Sequence, residues 1–224
     1  MKQLADDIWQ LKGRMPFPNA INTYLVRDVL IDAGARFDGK VILRELKDRE
    51  VTTHALTHAH PDHLGSSKLV CETLGIPYWV PELDVPAAEN TDLIAELQPQ
   101  SAMGRFFIKT MNGPSHPVDR ALVEGDVVAG FQVLFTPGHS KGHVSYWREA
   151  DRVLILGDVL NNMDIYTGIP GLREPKKAVT PDPAENRRSI KRLGPLEPAL
   201  VLFGHGAPLR DTKKFVDFCA SVPA

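Results

Sequence analysis

Four side chains that commonly bind metal ions lie within six residues in the first third of the chain. They form the pattern H-x-H-x-D-H, made by His58, His60, Asp62 and His63. Side chains two apart on an extended backbone point to the same side, so His58 and His60 can reach one point. Asp62 and His63 are adjacent, so they diverge toward a second point. A lone histidine in a polar loop is more often satisfied by ordinary hydrogen bonds, but this combination favours a site for two metal ions.

The segments on either side of this motif predict a strand followed by a helix. Residues 51–57 are β-branched and apolar, as in a buried strand. Residues 65–74 include Ser66 and Ser67, either of which can cap a helix. The motif would then occupy the connecting loop, where ligands can converge in a cleft.

An apolar strand followed by glycine and a polar side chain occurs three more times. The pairs are Gly138-His139, Gly157-Asp158 and Gly204-His205. Glycine permits close backbone approach and a sharp turn, so the next side chain can point into a shared site. Together with the first motif, this gives seven candidate ligands: His58, His60, Asp62, His63, His139, Asp158 and His205. Imidazole and carboxylate suit Zn²⁺, Fe or Mn²⁺, and the lack of cysteine argues against a soft structural zinc site.

One further carboxylate, Asp32, follows three aliphatic residues and precedes Ala33-Gly34, so it lies at a predicted strand end. A carboxylate there can cap a turn, or it can accept the second N–H of a metal-binding histidine. The sequence leaves both roles open.

Composition and charge exclude several classes of function. The 224 residues have a formal charge of −2 and no long basic run, so no nucleic-acid interface is predicted. No apolar stretch approaches the roughly 20 residues of a membrane helix. Asp6 and Asp7 fall where a signal peptide would be apolar. Cys71 and Cys219 lack C-x-x-C spacing and are expected to be buried thiols. We expect a cytoplasmic protein with a small-molecule substrate and no membrane partner; its oligomeric state stays open.

Strands and helices alternate along the chain, with several hairpins, which favours one layered α/β domain. The pattern loosens over residues 91–117 and 161–183, and these loops would line a substrate pocket. The apolar residues of the first loop could form a substrate wall or simply pack into the core: Met103, Phe106, Phe107 and Met111. Residues 121–135 predict a β-meander.

The order H-x-H-x-D-H, P-G-H-S, G-D and G-H-G resembles the metallo-β-lactamase superfamily over nearly the whole chain. The resemblance implies an α/β (α+β) fold, a four-layer αββα sandwich in a single domain over residues 1–224. It implies two divalent metal ions at one edge of the sandwich, with Zn²⁺ as the expected metal and Fe or Mn as alternatives. His58, His60 and His139 would bind one metal, and Asp62, His63 and His205 the other. Asp158 would bridge the two metals.

The resemblance also implies a reaction. A metal lowers the pKa of bound water from about 16 to about 7, so a hydroxide between two cations could attack a carbonyl carbon. Asp62 would have a catalytic role by orienting that nucleophile. His143, four residues after His139, is expected to support the ligands and not to bind metal. The predicted activity is hydrolysis of a small ester, thioester or lactone.

Two other activities within the superfamily stay open. A mononuclear iron persulfide dioxygenase would share much of the motif. A β-lactam-hydrolysing member is disfavoured, because antibiotic-hydrolysing members generally lack the bridging aspartate that Asp158 supplies here. Glyoxalase II-like thioesterases and lactonases resemble this ligand set, although quorum-signal lactonases place a tyrosine where this chain has Asn161.

Overall fold

Two β-sheets form the centre of the fold in a computed structural model that describes residues 1–15 and 17–223. The first sheet has seven strands in chain order, antiparallel from β1 to β4 and parallel from β4 to β7. Its strands are β1 (Lys2–Ala5), β2 (Ile8–Gln10), β3 (Tyr24–Val26), β4 (Val29–Ile31), β5 (Thr53–Ala55), β6 (Tyr78–Pro81) and β7 (Arg120–Leu122).

The second sheet has five strands in the order β14-β11-β10-β9-β8. All its neighbours are antiparallel except β11 and β14, which pair in parallel with Leu154 opposite Val201. Its strands are β8 (Val127–Val128), β9 (Phe131–Phe135), β10 (Val144–Arg148), β11 (Val153–Ile155) and β14 (Leu200–Leu202). A separate hairpin pairs β12 (Asn161–Met163) with β13 (Pro170–Arg173).

Eight α-helices connect or cover these strands in the described part of the chain. They are α1 (Gly39–Leu46), α2 (Pro61–Leu64), α3 (Ser67–Leu74), α4 (Val85–Glu89), α5 (Leu93–Leu97), α6 (Ala102–Met111), α7 (Pro183–Leu193) and α8 (Thr212–Ser221). Side chains cap three of them, because Ser101, Asp182 and Asp211 each accept the N–H three residues ahead at 2.9 Å. Within the described residues, none of the helices combines the length and apolarity needed to span a bilayer.

Three hydrophobic clusters separate four layers. Along β4, Val29 and Ile31 pack against the second sheet, whereas Leu30 points to the layer of α1 and α3. On β14, Leu200 and Leu202 face the first sheet, and the intervening side chain faces α7 and α8. Because side chains alternate across a strand, a strand that is apolar throughout is buried on both faces. The layers therefore follow the order helix, sheet, sheet, helix, which confirms the predicted αββα sandwich.

Three segments differ from the sequence-based expectation. Residues 161–183, expected as a loop, contain the hairpin of β12 and β13, whose turn is closed by the Gly168 N–H donating to the Asp164 carbonyl at 2.8 Å. Residues 91–117 contain α5 and α6, because Gly104 lies in the first turn of α6, where Ser101 caps the helix and glycine does not interrupt it. The expected β-meander over residues 121–135 is divided between the sheets. β7 pairs with β6, and β8 and β9 form a hairpin in the second sheet. A local strand pattern does not specify which sheet accepts each strand.

Five strand ends meet at one edge of the sandwich. β4 and β5 are parallel, so their carboxyl ends lie side by side. β9, β11 and β14 run in a common direction in the second sheet. The edges of the two sheets are joined there, since Val144 N–H donates to the Thr57 carbonyl at 2.9 Å. Every segment that carries a candidate ligand begins at this edge.

At another point, an ion pair links the two sheets. Asp7, in the turn after β1, accepts two hydrogen bonds from Arg148 at the end of β10, at 2.6 and 2.8 Å. It also accepts one from Arg27 at 3.1 Å. The hydrogen bond from Arg148 lowers the pKa of Asp7 despite partial burial, which acts to raise it, and Arg27 adds to the lowering.

We predict that Asp7→Asn lowers the free energy of unfolding at pH 7 by about 1 kcal/mol, the scale of a partly exposed paired charge. Because the folded-state pKa lies below the unfolded value of about 3.9, the wild-type advantage is present above that value. It should disappear as the pH falls through the folded pKa. Urea unfolding at several pH values measures this, with Asp6→Asn at the exposed neighbouring position as control. A difference between wild type and Asp7→Asn that does not vary with pH would contradict the ion-pair account.

Candidate metal centre

All seven residues singled out by sequence lie at the shared edge of the sheets. Their donor atoms form three overlapping groups in which all atoms lie within 4.8 Å of one another. The groups are His58, His60 and His139; His58, His63 and Asp158; and Asp62, His63 and His205. The first and third groups are the two ligand sets expected from the sequence, and Asp158 lies with residues from both.

In the first group, ring orientation is fixed from outside the cluster. Thr57 Oγ1 donates to Asp32, so it accepts from His58 Nδ1 at 3.0 Å. Thr180 Oγ1 donates to the Lys176 carbonyl, so it accepts from His139 Nδ1 at 3.1 Å. With the proton on Nδ1, each Nε2 has a lone pair directed into the cluster. The ring centroids of His58 and His139 are 5.0 Å apart.

The group of Asp62, His63 and His205 follows the same arrangement. His63 Nδ1 donates to Asp32 Oδ2 at 2.8 Å, and His205 Nδ1 contacts the Ala20 carbonyl. Both Nε2 atoms therefore face inward. His205 Nε2 lies 3.2 Å from Asp62 Oδ2.

Asp158 lies between the two groups. Its Oδ2 is 2.9 Å from His205 Nε2 and 3.5 Å from His139 Nε2. Its Oδ1 is 3.5 Å from His63 Nε2. One carboxylate thus contacts histidines of both ligand sets expected from the sequence.

Of the two roles that the sequence left open for Asp32, the structure shows the second, because its carboxylate accepts the ring N–H of a histidine in the cluster. Its Oδ1 accepts the Thr57 N–H, and its Oδ2 accepts the Thr57 hydroxyl, each at 2.8 Å. It also orients His63 and is itself 2% exposed. The backbone of Asp32 is left-handed, with φ of 59°, which turns the chain directly after β4.

His143 supports the centre through Asp158. Its Nε2 accepts the backbone N–H of Asp158 at 2.9 Å, so Nδ1 carries the proton and donates to Thr136 at 2.8 Å. Both ring nitrogens are therefore occupied by protein partners. Burial lowers the pKa of His143 to about 3 and keeps the ring neutral. Both contacts are compatible with a supporting position, and the role of His143 stays a prediction.

Glycine allows the close approach predicted at the strand ends. A Cβ on Gly204 would lie 1.9 Å from Asp158 Oδ1, a distance that no real side chain permits. Gly157 has φ of 58°, and a Cβ there would lie 2.6 Å from His143 Nε2.

The pKa shifts of the histidines divide the cluster into two parts. Burial lowers the pKa values of His58 and His139, which keeps them neutral. Burial also acts to lower the pKa of His205, but Asp158 and Asp62 outweigh it and raise the value to about 10. For Asp62, burial acts to raise the pKa, but His63 and His205 hold it below its usual range. The part of the cluster made by Asp62, His63 and His205 beside Asp158 therefore favours positive charge.

The residues fit a divalent metal centre on the evidence of their own unpaired atoms. Among the described residues, four buried polar atoms of the cluster lack a hydrogen-bond partner: His58 Nε2, His63 Nε2, His139 Nε2 and Asp158 Oδ1. Leaving one such atom unpaired costs about 1–3 kcal/mol. Several in one place, with the opposite nitrogens held by outer partners, form a donor set suited to metal ions.

Comparison with known proteins agrees with this geometry. The profile of the metallo-beta-lactamase superfamily matches residues 16–205. The chain belongs to the metallo-beta-lactamase superfamily. It is 30% identical over 200 residues to the probable metallo-hydrolase YflN of Bacillus subtilis, covering 81% of this chain and 76% of that protein. The crystal structure of TTHA1623 in a di-iron-bound form has a TM-score of 0.67 and 32% identity, covering 89% and 93%.

A third relative has a more specific name. The hydroxyacylglutathione hydrolase GloC of Haemophilus influenzae is 26% identical over 137 residues, or 58% of this chain and 60% of that protein. Membership of the superfamily and the metallo-hydrolase relatives identify this protein as a metal-dependent hydrolase.

Sequence reasoning did not find three residues that hold this superfamily centre in place. Asp84 accepts hydrogen bonds from Ala59 N–H, the Ser140 hydroxyl and Gly142 N–H at 2.7–2.8 Å. It thereby joins the H-x-H segment to the His139 loop. Thr180 orients His139, and the Gln98 side chain contacts His60 Nε2. Each lies far from its partner in sequence and outside any motif, so no local pattern indicates its role.

We predict that Asp84→Ala lowers the free energy of unfolding by about 3 kcal/mol, since three buried donors lose a charged acceptor. The affinity for Zn²⁺ should fall as well, because two ligand-bearing loops are no longer joined. Urea unfolding and competition with a chelator measure the two effects. Asp92→Ala, at an exposed position, is the control. Equal stability and metal affinity in the two variants would refute the role given to Asp84.

Proposed function

We propose that the seven residues bind two divalent cations and that the protein hydrolyses a small ester, thioester or lactone. The supporting observation is the convergence of inward-facing Nε2 atoms on Asp158, whose oxygens contact histidines of both groups. His58, His60 and His139 would hold one cation, and Asp62, His63 and His205 the other. Asp158 would be shared. The donor set suits Zn²⁺, with Fe and Mn²⁺ as alternatives.

Metal ions in such a site supply ionised water at neutral pH and polarise the oxygen of the electrophile. The chain's own residues provide orientation and charge. Asp62 is half-buried beside His205 and is ionised, so its carboxylate can accept a hydrogen bond from the attacking water and orient it. We assign the catalytic role to Asp62 on this basis.

Two of the relatives support parts of this proposal. GloC is named for hydrolysis of a glutathione thioester, which is an acyl transfer to water of the proposed class. The TTHA1623 structure contains two iron ions, which supports a dinuclear centre and leaves iron open as the metal.

The proposal is tested with purified protein loaded separately with Zn²⁺, Fe²⁺ and Mn²⁺, after measurement of metal content. We expect two metal ions per chain and turnover of an ester, thioester or lactone. A single iron with oxygen uptake on a persulfide would replace the proposal with the dioxygenase alternative. Turnover restricted to β-lactams or phosphodiesters would contradict the proposed substrate class.

We predict that Asp158→Ala binds one metal ion in place of two and lowers kcat by more than about 100-fold, beyond the range for residues that only support ligands. The physical reason is loss of the carboxylate shared between the groups. Elemental analysis gives the stoichiometry, and far-ultraviolet circular dichroism checks that the fold is intact. Unchanged stoichiometry and turnover in a folded variant would rule out the bridging role.

His143→Ala should have a smaller effect, because this ring contacts Asp158 through its backbone N–H and not through the carboxylate. We expect a loss of about 10–100-fold in metal affinity or activity. His116→Ala, a partly buried histidine outside the cluster, is the matched control. If His143→Ala were as damaging as Asp158→Ala, the supporting role would be wrong.

A further inference from the structure

A cavity of about 310 Å³ opens directly onto the candidate metal centre. Its floor includes His60, Asp62, His139, Asp158 and His205. The reacting carbonyl of a substrate must lie at this floor, so the remaining walls contact the groups attached to that carbonyl.

The walls are predominantly apolar. Helix α6 contributes Met103, Phe107 and Met111 to the cavity. The loop before β3 contributes Phe17, and the hairpin of β12 and β13 contributes Tyr166. Phe107 and Tyr166 stack with their ring centroids 6.2 Å apart, which joins two of the walls. One residue of the expected wall is excluded, because Phe106 does not line the cavity and is 57% exposed.

No lysine or arginine occurs among the described residues that line the cavity. The two cations near the hairpin share one carboxylate, since Asp164 accepts from Arg173 at 3.1 Å and also contacts Lys176. A carboxylate at the far end of an acyl chain would lie among the apolar walls, away from the proposed metal ions. It would lose its hydration there without a cation among the described lining residues.

We propose that the cavity binds an uncharged, apolar acyl chain of about six to ten carbons, which makes the substrate a medium-chain acyl ester, thioester or lactone. At roughly 30 Å³ for each carbon-sized group, the cavity volume of about 310 Å³ sets an upper bound of about ten such groups, and the carbonyl at the floor takes part of that space. This inference rests on the proposed function and specifies its substrate. It distinguishes the protein from enzymes that require a short polar or charged acyl group.

The chain-length dependence is measured with N-acetylcysteamine thioesters of acetyl to dodecanoyl length, whose leaving group is uncharged. We expect kcat/KM to rise about fourfold for each added methylene up to about eight carbons and then to level off. A suberoyl thioester has the same eight carbons but ends in a carboxylate in place of the methyl group. Its kcat/KM should be at least about 100-fold lower than that of the octanoyl thioester. A flat series, or preference for the suberoyl thioester, would overturn the proposal.

Two adjacent phenylalanines of α6 provide a matched pair of variants. Phe107→Ala should lower kcat/KM for the octanoyl thioester by about tenfold or more and leave the acetyl thioester within about threefold, because only a long chain reaches that wall. Phe106→Ala should change neither value. Metal content should be the same in both variants. Equal losses on long and short substrates, or equal effects of the two substitutions, would contradict an acyl-binding wall.

Binding alone provides a second measurement that does not depend on turnover. The ketone analogue of the octanoyl thioester cannot be hydrolysed, and its dissociation constant is obtained by calorimetry. It should bind more tightly than the butanoyl analogue, and Phe107→Ala should remove the difference. If no thioester, ester or lactone is hydrolysed but the octanoyl analogue still binds through Phe107, the proposed function fails and the acyl site stands. If hydrolysis occurs without any preference for chain length, the proposed function stands and the acyl site fails.

Discussion

A neutral imidazole has one proton for its two nitrogens, and the candidate metal centre depends on where that proton is held. His58 and His139 each have a hydrogen-bond acceptor outside the cluster that takes the Nδ1 proton. Their Nε2 lone pairs then face inward without partners among the described residues. The outer acceptors thus turn ordinary buried histidines into a donor set. Substitutions of those acceptors would affect the centre indirectly, through the orientation and protonation of the rings.

The need for buried polar atoms to have partners also explains the different roles of three buried carboxylates, Asp32, Asp84 and Asp158. An ionised carboxylate in the interior requires several donors to offset its desolvation. Asp32 and Asp84 receive theirs mainly from backbone N–H groups, hydroxyls and one ring. Asp158 receives its contacts from histidines of both groups. The first two therefore serve to connect segments, whereas the third is left able to interact with whatever cations the histidines bind.

Much of this arrangement could be predicted from the sequence, and the reasons are local. The H-x-H-x-D-H spacing and the glycines before His139, Asp158 and His205 are short-range signals, so the ligand-bearing segments could be recognised directly. The uninterrupted apolar runs of β11 and β14 likewise predicted buried strands. Asp84 and Thr180 could not be found, because their partners lie far along the chain. The placement of β7 apart from β8 and β9 depends on tertiary pairing, which a strand pattern does not encode.

The parallel pairing of β14 with β11 also determines when the candidate centre can be complete. His205 follows β14, and the Asn22 amide and Tyr24 hydroxyl both donate to the Phe203 carbonyl at 2.8 Å. The partners in these two contacts are 181 and 179 residues apart, and they join the segment before the first sheet's β4 to the second sheet. The last candidate ligand is therefore positioned by long-range contacts, and the donor set is complete only when both sheets have formed.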